Sequence, residues 1–308
     1  MTAIADAIRA KAGTTVALTL DEMAAAIAAL EVGGFPNGTK WAQSNLTRDS
    51  FQTVSNANGI WVAGSTSSKG LYYSTDGKTW TQSNITDDSF SIVANTNGIW
   101  VAGSTSSKGL YYSTDGKTWT QSNITTGDFY TVSNANGIWV AGSSKGLYYS
   151  TDGKTWTQSN ITIGHVQDVA NANGIWVAGT NSYGLYYSTD GKIWAQSNLT
   201  RDSFQTVSNA NGIWVAGYLS SKGLCYSTDG KTWIQSNITT NGFYTVANAN
   251  GICVAGSDFD LYYSTDGKTW ERSNVTDNSF FTVANANGIW VAGSSKGLYY
   301  SVSWEPST

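Results

Sequence analysis

Apolar, aromatic and β-branched residues gather in short runs of four to six, and Asn-Gly or Asp-Gly cuts the chain between them at regular intervals. After residue 50 these runs predict four strands, roughly Phe51–Ser55, Ile60–Ser65, Leu71–Ser74 and Thr79–Ser83. Asn58-Gly59 and Asp76-Gly77 mark hairpins between the first and second and the third and fourth, because both dipeptides accept the positive φ that tight hairpins need. The pattern then returns. Asn-Gly-Ile-Trp-Val-Ala-Gly starts at Asn58, Asn97, Asn136, Asn173, Asn211, Asn250 (with Cys253 for Trp) and Asn287, seven copies 37 to 39 residues apart. Ser-Thr-Asp-Gly-Lys-Thr-Trp starts at Ser74, Ser113, Ser150, Ser188 (with Ile193 for Thr), Ser227 and Ser264.

A four-stranded antiparallel unit repeated seven times predicts an all-β fold, a seven-bladed β-propeller, since closing the array leaves only short edges. A linear β-solenoid fits less well, because its coils carry parallel strands without paired hairpin turns. The chain ends predict the closure. The seventh copy stops after Leu298-Tyr299-Tyr300-Ser301 and Val302-Ser303-Trp304, without its fourth strand, while Asn37–Asn45 (Asn-Gly-Thr-Lys-Trp-Ala-Gln-Ser-Asn) matches the end of a repeat. The closing blade is therefore expected to combine 297–304 with an N-terminal outer strand from 37–45, within a propeller spanning 37–308. Two recurring tryptophans per repeat read as packing between blades.

Residues 1–36 differ in kind. Ile4, Ala7, Ile8, Leu20, Met23, Ile27 and Leu30 recur at helical spacing, and Thr19-Leu20-Asp21-Glu22 forms a capping box. Two short Ala-rich helices cannot bury their own apolar faces, so this extension is expected to be an attachment or oligomerisation segment, or a cap on the propeller.

Ser74-Thr75-Asp76-Gly77-Lys78-Thr79-Trp80 and its copies resemble the Asp-box, or bacterial neuraminidase repeat, one residue short between Asp and Trp. That resemblance covers 37–304. It implies a structural hairpin role for Asp76, Asp115, Asp152, Asp190, Asp229 and Asp266, and it names an architecture, not a reaction. The segment Ile4-Ala5-Asp6-Ala7-Ile8-Arg9-Ala10-Lys11, followed by Leu18-Thr19-Leu20-Asp21-Glu22-Met23-Ala24, is similar to the opening of tail-associated proteins from phages and prophages of Gram-positive bacteria. This implies a tail or assembly protein as a partner for 1–36, and a place on a virion tail or exported particle after synthesis in the cytoplasm without a signal peptide.

In an up-and-down blade, both hairpin turns lie on one face, and these hardly vary between copies. The loops on the opposite face do vary, which makes that face the expected binding surface. Its blade-to-blade connections contribute Arg48, Asp49, Asp87, Asp88, Asp128, His165, Arg201, Asp202 and Asn241. The other loops contribute Tyr183, Tyr218, Asp258, Phe259 and Asp260, and the residues entering the first strands include Tyr130, Gln167, Tyr244 and Phe281. Residues 42–64 and 195–217 are identical, as are 65–86 and 104–125, which points to recent copying and makes the differences informative.

Charge narrows the function. The 308 residues carry a net charge of −4, with 12% charged and 13% aromatic, so no basic stripe exists to displace counterions from nucleic acid. No segment is expected to span a membrane. His165 is the only histidine, which excludes a His-based triad or His-rich metal site within one chain, and too few arginines are placed to hold a sialidase substrate. Cys225 and Cys253 read as free, part-buried thiols, and the seven Asn-x-Thr triplets read as strand-end geometry. No cofactor or metal is expected. The expectation is a non-catalytic propeller recognising a host-surface glycan. Its alternatives are a glycosidase using two of the variable-face aspartates, Asp168 among those weighed, and a structural spacer without ligand.

Overall fold

The structure, a computed structural model, describes residues 44–46, 49–210, 212–286 and 289–301. The helical segment expected over 1–36, most of the strand expected over 37–45, and Arg48 lie outside those residues. So do Val302–Trp304. The chain is a seven-bladed β-propeller in which strand order within each sheet follows chain order. Blade one comprises Phe51–Ala57, Ile60–Ser65, Leu71–Ser74 and Thr81–Gln82, all antiparallel. The next five blades repeat it, and blade seven shows three strands among the described residues, Phe280–Ala286, Ile289–Ser294 and Gly297–Tyr300. No helix among the described residues is long and apolar enough to cross a membrane.

Local chemistry sets the strand limits. Asn58 and Gly59 both take positive φ (52° and 77°), so the first strand runs two residues further than expected, straight into a two-residue hairpin. The fourth strand is shorter than the expected Thr79–Ser83 for a related reason. The backbone amides of Lys78 and Thr79 donate to the Asp76 carboxylate (2.8 Å each), while Gly77 N donates to Ser74 Oγ (2.9 Å), so the turn consumes residues that would otherwise pair. These bonds hold the Asp76 carboxyl at about 2, well below its ordinary range.

Blades cohere through two repeated devices. The first is apolar: each of six clusters joins two consecutive blades, as where Val62 and Leu71 of blade one meet Phe90, Val93, Trp100 and Trp119 of blade two. The second is polar. Asn84 Nδ2 donates to Trp119 O and accepts from Trp119 N at its Oδ1, both at 2.8 Å. The same reciprocal clamp links Asn123 to Trp156, Asn160 to Trp194, Asn198 to Trp233 and Asn237 to Trp270. One carboxamide satisfies a buried N–H and C=O that have no strand beside them. The Asn of these Asn-x-Thr triplets is thus a structural bridge between blades.

Blades one and seven differ from the rest. Residues 42–64 and 195–217 are identical in sequence, yet Trp61 is 38% exposed and Val54 59%, while their counterparts Trp214 and Val207 are buried at 2% and 4%. Ile289, Val291 and Leu298 are exposed in blade seven, where the equivalent Val62 and Leu71 of blade one are fully buried. Among the described residues six inter-blade cores are made, and the facing sides of blades one and seven carry no such cluster. Trp214→Ala is expected to cost about 3–5 kcal/mol, as for a fully packed aromatic. Trp61→Ala, with the same neighbours in sequence, is expected to cost less than half as much, read by chemical denaturation of the two variants. Equal costs would mean that the seventh core is made in solution.

Candidate ligand-binding face

Because strands run in order, the Asn-Gly and Asp-Gly hairpins share one face, and the second-to-third and blade-to-blade loops share the other. The hairpin face is fixed by contacts between blades: Lys117 lies 5.8 Å from the Tyr73 ring, and Lys154, Lys192, Lys231 and Lys268 repeat this on the preceding blade's tyrosine. The loop face is stitched differently, by backbone bonds such as Thr66 N to Ser50 O (2.8 Å) and Gly70 N to Asp88 O (2.7 Å). Gly70 is required here, since its φ is +78° and a Cβ would stand 1.7 Å from Ile85 O. These bonds give a variable sequence a rigid backbone.

Each first strand carries a β-bulge, where Phe51 pairs with Ser65 and Thr53 with Gly64, leaving Gln52 unpaired. Equivalent shifts leave out Ser91, Tyr130, Gln167, Gln205, Tyr244 and Phe281. The residue that varies most along the first strand is thus the bulged one in every blade, and bulges re-aim side chains away from the ladder. Sequence periodicity gave no sign of this. Two pairs of rings result: Tyr130 stacks on His165 at 5.9 Å, and Tyr244 meets Phe281 at 5.4 Å.

Many of the expected ligand contacts serve the fold instead. Asp88 is fully buried, and its Oδ1 accepts from Ser104 Oγ and Ser89 N (2.8 Å each). Burial and this carboxylate push the Tyr111 hydroxyl up to about 12. Asp49 accepts from Ser65 Oγ in the same way, and Asn241 donates to Tyr262 Oη (3.1 Å). Asp128 accepts from Ser107 N (2.7 Å), Asp87 pairs with Lys108 (3.2 Å) and Asp202 with Lys222. Asp260 is buried against Arg272 (2.5 Å). Tyr218, expected on the surface, is 4% exposed and packs on Phe204 at 4.4 Å. The reason lies in a paired exchange. Five other blades place a Phe against a third-strand Tyr, as in Phe90 with Tyr111, but blade five has Cys225 there, and Tyr218, standing where Ser104 does, fills the space. Both cysteines are free and fully buried, and burial pushes the Cys253 thiol up to about 11.

What stays open is unevenly distributed. Among the described residues, the exposed large apolar side chains in the loops of this face are Ile163, Tyr183, Leu219 and Phe259, with the bulged Phe281 near them, all from the entry to blade four onward; Phe51, where the first strand of blade one begins, is exposed as well. At the matching loop positions blades one to three carry polar residues, such as Thr66-Ser67-Ser68-Lys69, and Tyr130 stands in blade three where Phe281 does in blade seven. Arg201 is exposed and Gln167 half-buried in the same half. Between blades six and seven lies a cavity of about 260 Å³, lined by Asp258, Phe259, Asp277, Asn278, Ser279 and Ser295. Its rim is fixed by Asn278 N to Phe259 O (2.7 Å), Ser279 Oγ to Asp258 O (2.8 Å) and Ser295 Oγ to Asn278 Oδ1 (2.7 Å).

No protein-family model matches this chain, and no curated protein does. Solved structures share the fold. The computationally designed Ika8 protein superposes with a TM-score of 0.69 at 11% identity, over 84% of this chain and 85% of that one. YCF48 from Cyanidioschyzon merolae gives 0.60 at 15%, over 84% and 97%. BamB from Moraxella catarrhalis gives 0.62 at 11%, over 82% and 83%. At these identities the likeness extends to the propeller alone.

Asp168 lies between blades, not on the loop surface: Oδ2 accepts from Val207 N of blade five (2.9 Å), and Oδ1 accepts from Val169 N (2.8 Å) and Thr131 Oγ1 of blade three (3.4 Å). Thr53 holds the equivalent place in blade one, accepting from Val93 N (3.1 Å). Desolvation outweighs these bonds and pushes the Asp168 carboxyl up to about 6. The folded state therefore binds this proton more tightly than the unfolded state, so stability falls as pH rises from about 4 to about 6. Asp76 has the opposite sign and acts lower, its contribution being full above about pH 4 and lost towards pH 2. Asp168→Thr is expected to stabilise the protein at pH 7 by on the order of 2 kcal/mol and to remove the decline between pH 4 and 6, measured as Tm against pH. A second test concerns blade five. Tyr218→Ser and Cys225→Tyr are each expected to destabilise by about 1–3 kcal/mol, by void and by overpacking, and the double variant to recover most of the loss.

Proposed function

We propose that the protein is a non-catalytic binding propeller that recognises a glycan on a cell surface through blades four to seven of its loop face. The observation that carries this is the asymmetry of that face. Near-identical repeats would give a uniform rim, yet the loops around blades four to six carry exposed Ile163, Tyr183, Leu219 and Phe259 where the loops of blades one to three are polar, set on a backbone held rigid by loop-to-loop hydrogen bonds. Rings such as Tyr183 and Phe259 offer apolar faces to sugar C–H surfaces, with Asn and Asp beside them for hydroxyls. The resemblance of the Ser-Thr-Asp-Gly-Lys-Thr-Trp turns to the Asp-box fits a scaffold of this kind. The resemblance of residues 1–36 to phage tail-associated proteins supports attachment to a particle that displays several copies. Display matters because a shallow single site binds weakly, and joined sites gain avidity without new contacts.

The test is a glycan array probed with the full chain, alone and multimerised. Binding to a restricted set of glycans is expected. It should weaken at least tenfold on Tyr183→Lys, which installs the residue of the matching loop in blade two, and be unaffected by Ser67→Ala in the polar half. Signal at background with the multimer, or equal loss from both variants, would overturn the reading.

A further inference from the structure

The seven bulged residues belong together. First strands of successive blades neighbour one another, and each bulge sits at the loop-face end of its strand, so every blade supplies one of these side chains. Three of them reach across to the next blade. Ser91 Oγ donates to Phe129 O (2.9 Å), Tyr130 stacks on His165 (5.9 Å) and Tyr244 meets Phe281 (5.4 Å). Between the two ring pairs come Gln167 of blade four and Gln205 of blade five. Their strands are tied by Val207 N to Asp168 Oδ2 (2.9 Å), two residues and one residue beyond the glutamines.

These glutamines differ from those of the outer strands. Gln82, Gln121 and Gln158 each donate to a lysine carbonyl (2.7, 2.7 and 3.0 Å). Gln167 and Gln205 are half-buried, yet their carboxamides have no hydrogen-bond partner among the described residues and are not shut off from solvent. None of the seven bulged residues is charged, although the connections a few positions earlier carry Asp49, Asp88, Asp128 and Asp202. Those carboxylates are already engaged, by Ser65, Ser104, Ser107 and Lys222 in turn.

Two open carboxamides between two ring pairs suit one kind of ligand. A carboxamide offers two N–H donors and an acceptor, which matches adjacent hydroxyls, and a ring covers the C–H face of a pyranose. A carboxylate, sulfate or ammonium placed on this arc would lose water without meeting an opposite charge. We infer that the bulged residues of blades three to seven contact the glycan directly, and that the glycan they take is uncharged, built of hexoses or N-acetylhexosamines. This rests on the glycan-binding reading above and adds the place of contact and the charge of the sugar.

The full chain, multimerised, is titrated at pH 7.5 on an array holding uncharged, sialylated, sulfated, uronate and free-amine glycans. Uncharged glycans are expected to bind at least tenfold tighter, by apparent Kd, than any charged one. The pair Gln167→Ser with Gln205→Ser, and separately the pair Tyr244→Gln with Phe281→Gln, should each weaken that binding at least tenfold. Blade two carries Ser and blade one Gln at this position, so the fold accommodates both residues, and Tm is the control. Charged glycans bound as tightly as uncharged ones, or binding that survives both pairs, would overturn this inference and leave glycan recognition in place. A blank array would overturn both.

Discussion

Every feature of this molecule hangs on how one blade is held to the next. The join has an apolar part, in which a tryptophan from the second strand and another from the start of the fourth are buried against the preceding sheet. It also has a directional part, in which one asparagine carboxamide takes both backbone groups of that second tryptophan. Burial alone would allow the sheets to slide, since it depends on area and not on alignment. The paired hydrogen bonds remove that freedom. Because both devices operate at the five joins from blade one to blade six, those blades are placed alike, and differences in sequence become differences in surface.

That constraint also explains why one face is conservative and the other free. Hairpins on the fixed face participate in the join itself: Gly77-type residues approach the indole of their own blade, and the lysine that follows reaches the preceding blade's tyrosine. A change there would be felt by two blades. The loop face is tied only within a blade and to the connection beside it, mostly through backbone atoms, so side chains there can change while the Gly70-type position is kept. Blade six could therefore exchange four positions together, Asp258, Phe259, Asp260 and the Arg272 that pairs with Asp260, and blade five could move an aromatic ring from the third strand to the second, without disturbing the neighbours.

The sequence was most legible where it repeats. Seven copies of one hairpin word and paired turn signals gave the architecture and the faces, because strand alternation and positive-φ dipeptides act locally. It was least legible where a side chain answers to something distant. Tyr218 looked like a loop aromatic, and only the missing third-strand tyrosine at Cys225, read together with it, could have shown that it fills the core. Asp88 looked like a surface acid because nothing local reveals that Ser104 waits beneath it. The bulges at Gln52 and its counterparts leave no trace in a single repeat. Comparing the seven copies column by column marks that column as the variable one, but variation alone does not say that its residue is left out of the ladder.

The open faces of blades one and seven carry a mechanical consequence. In an array stabilised by nearest-neighbour joins, a unit with one join is held about half as firmly as a unit with two, so opening begins at the terminal sheets and moves inward. Among the described residues blade seven has one such join, with blade six, and it forms one wall of the cavity beside Phe259. A molecule lodged there would brace the sheet most prone to peel away, so exchange of the amides in Ile289–Ser294 would slow as occupancy rises.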